Sequence, residues 1–163
     1  MESRMKPRIG VMGPGSCPPD LYSLAQEVGF LIAGKGAILI CGGHGGVMEA
    51  SARGAREGGG ITVGILPGDS PDGANQYIDI PVVTGLGYAR NCINVLTSQV
   101  VIAIGGSYGT LSEIALALKC GTPVIGLRTW GLTAPGGGTV PIALAQSAEE
   151  AVNAALKLIS SRQ

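Results

Sequence analysis

Charged side chains are scarce in this chain, at 13% of its 163 residues, and the formal net charge is zero. Without a run of lysine and arginine the sequence offers no basic surface for a phosphate backbone, so we expect no nucleic-acid partner. No apolar run reaches the roughly 18 residues of a membrane-spanning helix, so we expect no membrane partner. The polar N-terminus lacks the apolar core of a secretion signal, which predicts a cytoplasmic protein.

Metal-binding side chains are equally sparse. The chain has one histidine and four cysteines, and no two cysteines have the C-x-x-C spacing typical of a zinc site. These residues and the scattered acids do not make a ligand set, so we expect no metal and no cofactor bound directly by side chains.

Apolar residues and glycine are abundant instead. Hydrophobic residues make up 45% of the chain, and the mean hydropathy of +0.37 is high for a small monomer. We therefore expect part of the surface to be buried between subunits. The 28 glycines cluster after apolar segments, which indicates tight loops where the backbone approaches a ligand.

The apolar segments are near-continuous runs, as expected for strands of a sheet that is covered on both faces. Helical patterns alternate with them, which predicts a single α/β domain over residues 1–163, with a doubly wound, mostly parallel sheet. We predict strands at 9–12, 37–41, 61–66, 100–104 and 123–127, with 78–83 as a sixth strand or an extended connection. We predict helices at 20–33, 47–57, 88–98, 111–119 and 148–160.

A glycine-rich turn directly follows each of three predicted strands, at residues 13–16, 42–46 and 105–110. Because the carboxyl ends of parallel strands lie at one edge of the sheet, we expect these turns to converge on one crevice. The predicted phosphate- or ligand-binding residues are Gly13, Gly15, Ser16, Gly42, Gly43, His44, Gly45, Gly46, Gly105, Gly106, Ser107, Gly109 and Thr110.

The third turn gives the strongest indication of a phosphate. It joins an apolar strand to a helix, and the orphan N–H groups and positive dipole of a helix N-terminus favour an anion. Thr110 adds a hydroxyl there, and Glu113 places a carboxylate one turn further on. That carboxylate is a cap, a ligand for sugar hydroxyls, or an acid or base.

Two further side chains belong near the predicted crevice. Arg90 stands at the start of a predicted helix, where the dipole disfavours a cation, so it indicates a nearby phosphate or carboxylate. A surface ion pair is the alternative. His44 either lines the crevice or hydrogen-bonds its own loop.

Two common nucleotide motifs are absent from the sequence. Pro18 stands where a dinucleotide fingerprint has its third glycine, and the strand ending at Cys41 has no acidic residue for a ribose hydroxyl. No G-x-x-x-x-G-K-[ST] sequence occurs either. The usual NAD site and the P-loop of NTPases are therefore not expected.

Three motifs stand out when the turns are read together: Gly42-Gly43-x-x-Gly46-Val47-Met48, Arg90-Asn91 and Gly105-Gly106-x-x-Gly109-Thr110-x-x-Glu113. They resemble the Lonely Guy (LOG)-like superfamily, also known as lysine decarboxylase-like proteins. Within it, residues 89–91, 100–104, 109–119 and 123–125 look like the branch of molybdenum cofactor carrier proteins. The resemblance implies a Rossmann-like fold and a homodimer or homotetramer.

The superfamily includes phosphoribohydrolases, which cleave a nucleoside 5′-monophosphate into free base and ribose 5-phosphate. The resemblance implies that Arg90 and Glu113 would be the catalytic pair and that the last motif would hold the 5′-phosphate. This chain departs from that pattern at two positions. Ile104 replaces a proline before the last motif, and Asn91 replaces a lysine, which removes a cation near the phosphate.

Three functions remain open on the sequence. The branch resemblance and the missing lysine favour a carrier that holds molybdopterin or a nucleotide without turnover. The presence of Arg90 and Glu113 favours a phosphoribohydrolase, and the third alternative is an interaction protein with a vestigial pocket. The predicted helix at 111–119 is apolar nearly all round, which indicates contact with a second subunit.

Overall fold

The structure, a computed structural model that describes residues 5–162, contains one sheet of seven strands. The strands are β1 (Arg8–Met12), β2 (Ile38–Cys41), β3 (Thr62–Leu66), β4 (Ile80–Val83), β5 (Val100–Ile104), β6 (Val124–Leu127) and β7 (Ile142–Leu144). Every pairing is parallel, and the strand order is β4-β3-β2-β1-β5-β6-β7. The prediction of a parallel α/β sheet is confirmed.

Five helices connect or follow the strands. They are α1 (Pro19–Gly34), α2 (Val47–Glu57), α3 (Arg90–Thr97), α4 (Tyr108–Cys120) and α5 (Ala148–Ser160). Among the described helices, none combines the length and apolarity that crossing a bilayer requires.

Helices cover both faces of the sheet, as the near-continuous apolar runs predicted. Successive residues of β5 alternate between two cores. Val100, Ile102 and Ile104 belong to a large core shared with α1, α2 and α5, whereas Val101 and Ala103 face a smaller core under α3 and α4. The helices α1, α2 and α5 therefore cover one face of the sheet, and α3 and α4, which flank β5 in the chain, cover the other.

The sequence-based boundaries were wrong in three places. The strand β7 was not predicted, because it has three residues and its last, Leu144, is 69% exposed. The helix predicted from residue 88 begins at Arg90, after a 3₁₀ turn at Gly87–Ala89. The helix predicted from residue 111 begins at Tyr108, because the hydroxyl of Ser107 caps it three residues earlier.

Candidate functional site

The three glycine-rich turns meet at the carboxyl edge of the sheet, as expected. The strand β1 lies between β2 and β5, so chain connections leave its two sides in opposite directions, which makes this the switch point where such sheets bind ligands. A Cβ on Gly13 would lie 2.6 Å from the carbonyl oxygen of Ile104, and one on Gly105 would lie 3.0 Å from Cδ of Pro14. The turns pack this closely because these positions lack side chains.

The turn between β5 and α4 is capped by one of its own residues. Oγ of Ser107 accepts a hydrogen bond from the backbone N–H of Thr110 at 3.2 Å and lies 2.9 Å from Oγ1 of Thr110. Thr110 is buried, at 1% exposure, so its hydroxyl supports the turn from below. In this part of the described chain, the backbone N–H groups from Gly106 to Gly109 have no protein acceptor. Such donors at a helix N-terminus suit a phosphate.

Two residues beside this turn were missed by the sequence analysis. Nε1 of Trp130 donates to the carbonyl of Ser107 at 3.0 Å, and its ring stacks on Tyr108 with centroids 6.0 Å apart. Oγ1 of Thr129 donates to the carbonyl of Gly105 at 2.6 Å. Their position just after β6, at the same sheet edge, was the signal that could have identified them.

The turn between β2 and α2 is held by side chains from elsewhere in the chain. Nη1 of Arg90 donates to the carbonyl oxygens of Gly42 at 2.7 Å and Ile65 at 2.6 Å. The guanidinium occupies the space where a side chain on residue 42 would stand. Nη1 of Arg90 is thus occupied by two backbone carbonyls, and the contact of the guanidinium with a phosphate or carboxylate stays a prediction. Within the described chain no ion pair joins Arg90 to Glu113.

Cys41 lies beneath this turn and is fully buried. Its sulfur accepts a hydrogen bond from the backbone N–H of Gly43 at 3.4 Å. Burial raises the pKa of the Cys41 thiol to about 11, with smaller opposing contributions from Gly43 and the charge of Arg90. The thiol is therefore protonated at neutral pH and acts as a packing group.

Glu113 lies between α4 and α3 and is only 7% exposed. Its Oε1 accepts a hydrogen bond from Nδ2 of Asn94 at 3.0 Å. Burial raises the pKa of Glu113 to about 7, against the opposing effects of Asn94 and of the positive charge on Arg90. Oδ1 of Asn94 is buried without a partner among the described residues. A carboxyl group that titrates near neutral pH can hold or release a proton at this site.

The loop from β3 to β4 closes one side of the crevice. Asn75 contacts the β2–α2 turn, and Nδ1 of His44 lies 3.2 Å from the carbonyl oxygen of Gly73. An open cavity of about 300 Å³ lies beside it, lined by His44, Pro67, Gly87, Tyr88 and Arg90. His44 therefore does both things that the sequence left as alternatives: it lines the cavity and it contacts a loop.

The remaining predicted residues are more exposed and make fewer contacts. Gly15 and Ser16 are exposed, and Gly45 and Gly46 are partly exposed. Gly45 and Gly46 pack against the β1–α1 turn, since a Cβ on Gly45 would lie 3.0 Å from the carbonyl oxygen of Gly15. The hydroxyl of Ser16 has no hydrogen bond within residues 5–162. No group of three or more metal-binding side chains is found in that range either.

A parallel sheet with glycine-rich turns at its switch point defines a Rossmann-like α/β protein. More specifically, this chain belongs to the SLOG cluster4 family, whose model matches residues 6–159. The resemblance to the LOG-like superfamily and its carrier branch is thereby confirmed.

Solved structures and curated relatives agree with this assignment. The molybdenum cofactor binding protein of Rippkaea orientalis is 43% identical, with a TM-score of 0.85 over 98% of this chain and 99% of that one. The molybdenum cofactor carrier protein of Chlamydomonas reinhardtii is 39% identical, with a TM-score of 0.82 over 96% and 99%. A cytokinin riboside 5′-monophosphate phosphoribohydrolase of Mycobacterium tuberculosis is 36% identical over 69% of this chain and 65% of the enzyme.

Proposed function

We propose that this protein binds a phosphorylated, nucleotide-like ligand at the switch-point crevice and serves as a carrier of the molybdenum cofactor. The observation that supports this most directly is the β5–α4 turn. It offers backbone N–H groups that have no acceptor among residues 5–162, at the start of a 13-residue helix, and Ser107 and Trp130 hold it in place. The pterin part of the cofactor ends in a phosphate, which matches these donors. The similar carrier structures, aligned over nearly the whole chain, support the same cargo.

The surroundings of Arg90 and Glu113 favour binding over turnover. Nη1 of Arg90 is occupied by two backbone carbonyls, and the carboxyl of Glu113 is buried against Asn94. Asn91 stands where the related enzymes have a lysine, and its Nδ2 lies 3.3 Å from Oγ of Ser112. The crevice therefore offers N–H donors for an anion, whereas Arg90 and Glu113 already form hydrogen bonds within the protein.

Phosphoribohydrolase activity is the second candidate function, and the raised pKa of Glu113 favours it. A carboxyl with a pKa of about 7 is suited to assist cleavage of a glycosidic bond, in which positive charge develops on the sugar. In that reaction water replaces the base at C1 of ribose 5-phosphate. Glu113 would orient the water or stabilise the charge.

One experiment separates the two functions. The purified protein is mixed anaerobically with molybdenum cofactor and, separately, with a panel of nucleoside 5′-monophosphates. Co-elution of molybdenum with the protein and no free base by chromatography would support the carrier. Base release that disappears in Glu113→Gln would support the enzyme, and failure to bind either class of ligand would exclude both.

We also propose that the protein is a homo-oligomer that assembles through the face formed by α3 and α4. Leu96 on α3 is 63% exposed, and Leu116 and Leu118 on α4 are only partly buried. Light scattering at micromolar concentration tests this, and Leu96→Glu should shift the mass towards that of the monomer. A monomeric wild-type protein would contradict the proposal.

A further inference from the structure

We propose that Asn75 is a positioning residue for the ligand-binding crevice: it sets the orientation of the β2–α2 turn, and through it the ligand affinity. This inference rests on the proposed function. Nδ2 of Asn75 donates to the carbonyl oxygens of His44 at 2.8 Å and Gly43 at 3.2 Å. Its backbone N–H donates to Gly43 at 2.8 Å, and its Oδ1 accepts from the N–H of Tyr77 at 3.0 Å. The amide is thus fully used in fastening one loop to the other.

Because the peptide group is planar, a contact that fixes a carbonyl also fixes the direction of the next residue's N–H group. In a trans peptide the carbonyl and the following N–H point in opposite directions. With the carbonyls of Gly43 and His44 directed at Asn75, the N–H groups of His44 and Gly45 are directed away from that loop. Neither N–H donates to an acceptor in residues 5–162. Asn75 therefore fixes two donors that face away from the β3–β4 loop.

The β2–α2 turn needs this support because the helix that it leads into has no side-chain cap. Its N-cap is Gly46, with φ of 61° and no side-chain cap, whereas Ser107 caps α4. Gly43 also has a left-handed φ of 79°, and a Cβ there would lie 2.6 Å from Cδ2 of Leu66. A glycine turn of this kind has many accessible conformations when it is not fastened. Arg90 fixes the Gly42 carbonyl, and Asn75 fixes the next two.

An asparagine is suited to this task in a way that its carboxylate analogue is not. The amide supplies two N–H donors and one acceptor, whereas ionised aspartate only accepts. In Asn75→Asp a carboxylate oxygen would face two carbonyl oxygens at hydrogen-bond distance. We expect the turn to rotate away from the loop and its two N–H donors to lose their common direction.

The test uses two probes of different size on the full chain. Molybdenum cofactor is large enough to span the crevice, whereas inorganic phosphate needs only the β5–α4 turn. For Asn75→Asp we expect cofactor binding, titrated anaerobically by calorimetry, to weaken about tenfold, because two orienting hydrogen bonds are lost. Phosphate affinity should change by less than about twofold.

The matched control is Gln76→Glu, which makes the same amide-to-carboxylate change one residue along. Gln76 is exposed, and its side chain has no hydrogen bond within the described chain. The control should bind both probes as wild type does, which removes long-range charge repulsion as an explanation. Asn75→Ala, which adds no charge, should weaken cofactor binding in the same direction as Asn75→Asp but less.

Each other outcome contradicts the inference. Unchanged cofactor affinity in Asn75→Asp would exclude Asn75 from the site. A parallel loss of both probes together with a lower melting temperature would show that Asn75 only stabilises the fold. Failure of wild-type protein to bind either probe would exclude the proposed function itself, which is a distinguishable result.

Discussion

Two turns of the same kind are supported differently in this molecule, because only one of them leads into a helix with a side-chain cap. The β2–α2 and β5–α4 turns both follow a buried parallel strand and lead into a helix. The β5–α4 turn is capped from within by Ser107, three residues from its partner Thr110. The β2–α2 turn is fastened by Arg90, which is 48 residues from Gly42 along the chain.

Because of this difference, the shapes of the two turns depend on different parts of the protein. The β5–α4 turn combines a local cap with donors from the segment just after β6, Thr129 and Trp130, and these contacts hold the N–H groups to which we assign the phosphate. The β2–α2 turn, which has no side-chain cap, depends on the packing of α3 and the β3–β4 loop. Its shape is therefore coupled to those elements, which makes it the part of the crevice most sensitive to substitution at a distance.

The largest effect is expected for Arg90→Ala. The substitution leaves the carbonyls of Gly42 and Ile65, both buried residues, without their donor. Each buried carbonyl without a partner costs about 2 kcal/mol, so the free energy of unfolding should fall by about 4 kcal/mol. Chemical denaturation measures this loss.

The control for Arg90→Ala is Arg53→Ala, which removes an exposed i,i+4 ion pair with Glu57 and should lower the free energy of unfolding by less than about 0.5 kcal/mol. A similar small loss for Arg90→Ala would show that the turn holds without it.

The second prediction concerns the pH dependence of Glu113. Its pKa is about 7 in the folded state against a reference value of 4.5, so the folded state keeps a proton that the unfolded chain releases between these values. The contribution of this proton to the free energy of unfolding is therefore fully present below pH 4.5. It falls by about 3 kcal/mol as the pH rises towards 7. Glu113→Gln should lack this decrease and be more stable than wild type at pH 8.

Urea denaturation at pH 5 and pH 8 measures this difference. Glu27→Gln, at an exposed position of α1, should keep the wild-type pH dependence. If Glu113→Gln and wild type lose stability in parallel as the pH rises, Glu113 is not the group responsible.

The sequence predicted the features that depend on neighbouring residues in the chain, which are the strands, the helices and the turns. The apolar runs identified five of the seven strands and the parallel arrangement, and the glycine clusters located the three turns. Of the two alternatives for 78–83, the strand is confirmed by β4. The short strand β7 was missed because its three residues, two of them exposed, give no periodic pattern. The capped start of α4 was placed three residues late, although Ser107 is a typical N-cap residue.

Contacts between distant residues were not predictable in the same way. Arg90 was assigned to the crevice, but its carbonyl partners lie 25 and 48 residues away. Nothing in the sequence indicated a role for Asn75, because its side-chain amide donates to carbonyls that lie 31 and 32 residues away along the chain. A single sequence shows which residues are suited to fasten a turn. It does not show which turn they reach.

The third prediction compares two N-caps directly. Ser107 caps α4 at the crevice, and Ser147 caps α5 through the N–H of Glu150 at 3.1 Å, outside the three glycine turns. Replacing either serine by alanine should lower the free energy of unfolding by about 1 kcal/mol. Only Ser107→Ala should also weaken phosphate binding, followed by the fluorescence of Trp130, the one tryptophan in the chain. Equal phosphate affinity in the two variants would separate the cap from the ligand site.

The smallest effect is expected for His44→Ala. Among the described residues the imidazole has one hydrogen-bond partner, the carbonyl of Gly73 at 3.2 Å from Nδ1, and it is partly exposed. The same turn is already held by Arg90 and Asn75, so removing the ring should change the free energy of unfolding by less than about 0.5 kcal/mol. Chemical denaturation checks this value. A loss comparable to that of Arg90→Ala would mean that the imidazole holds the β2–α2 turn. Unchanged stability would leave the ring available to a ligand in the cavity that it lines.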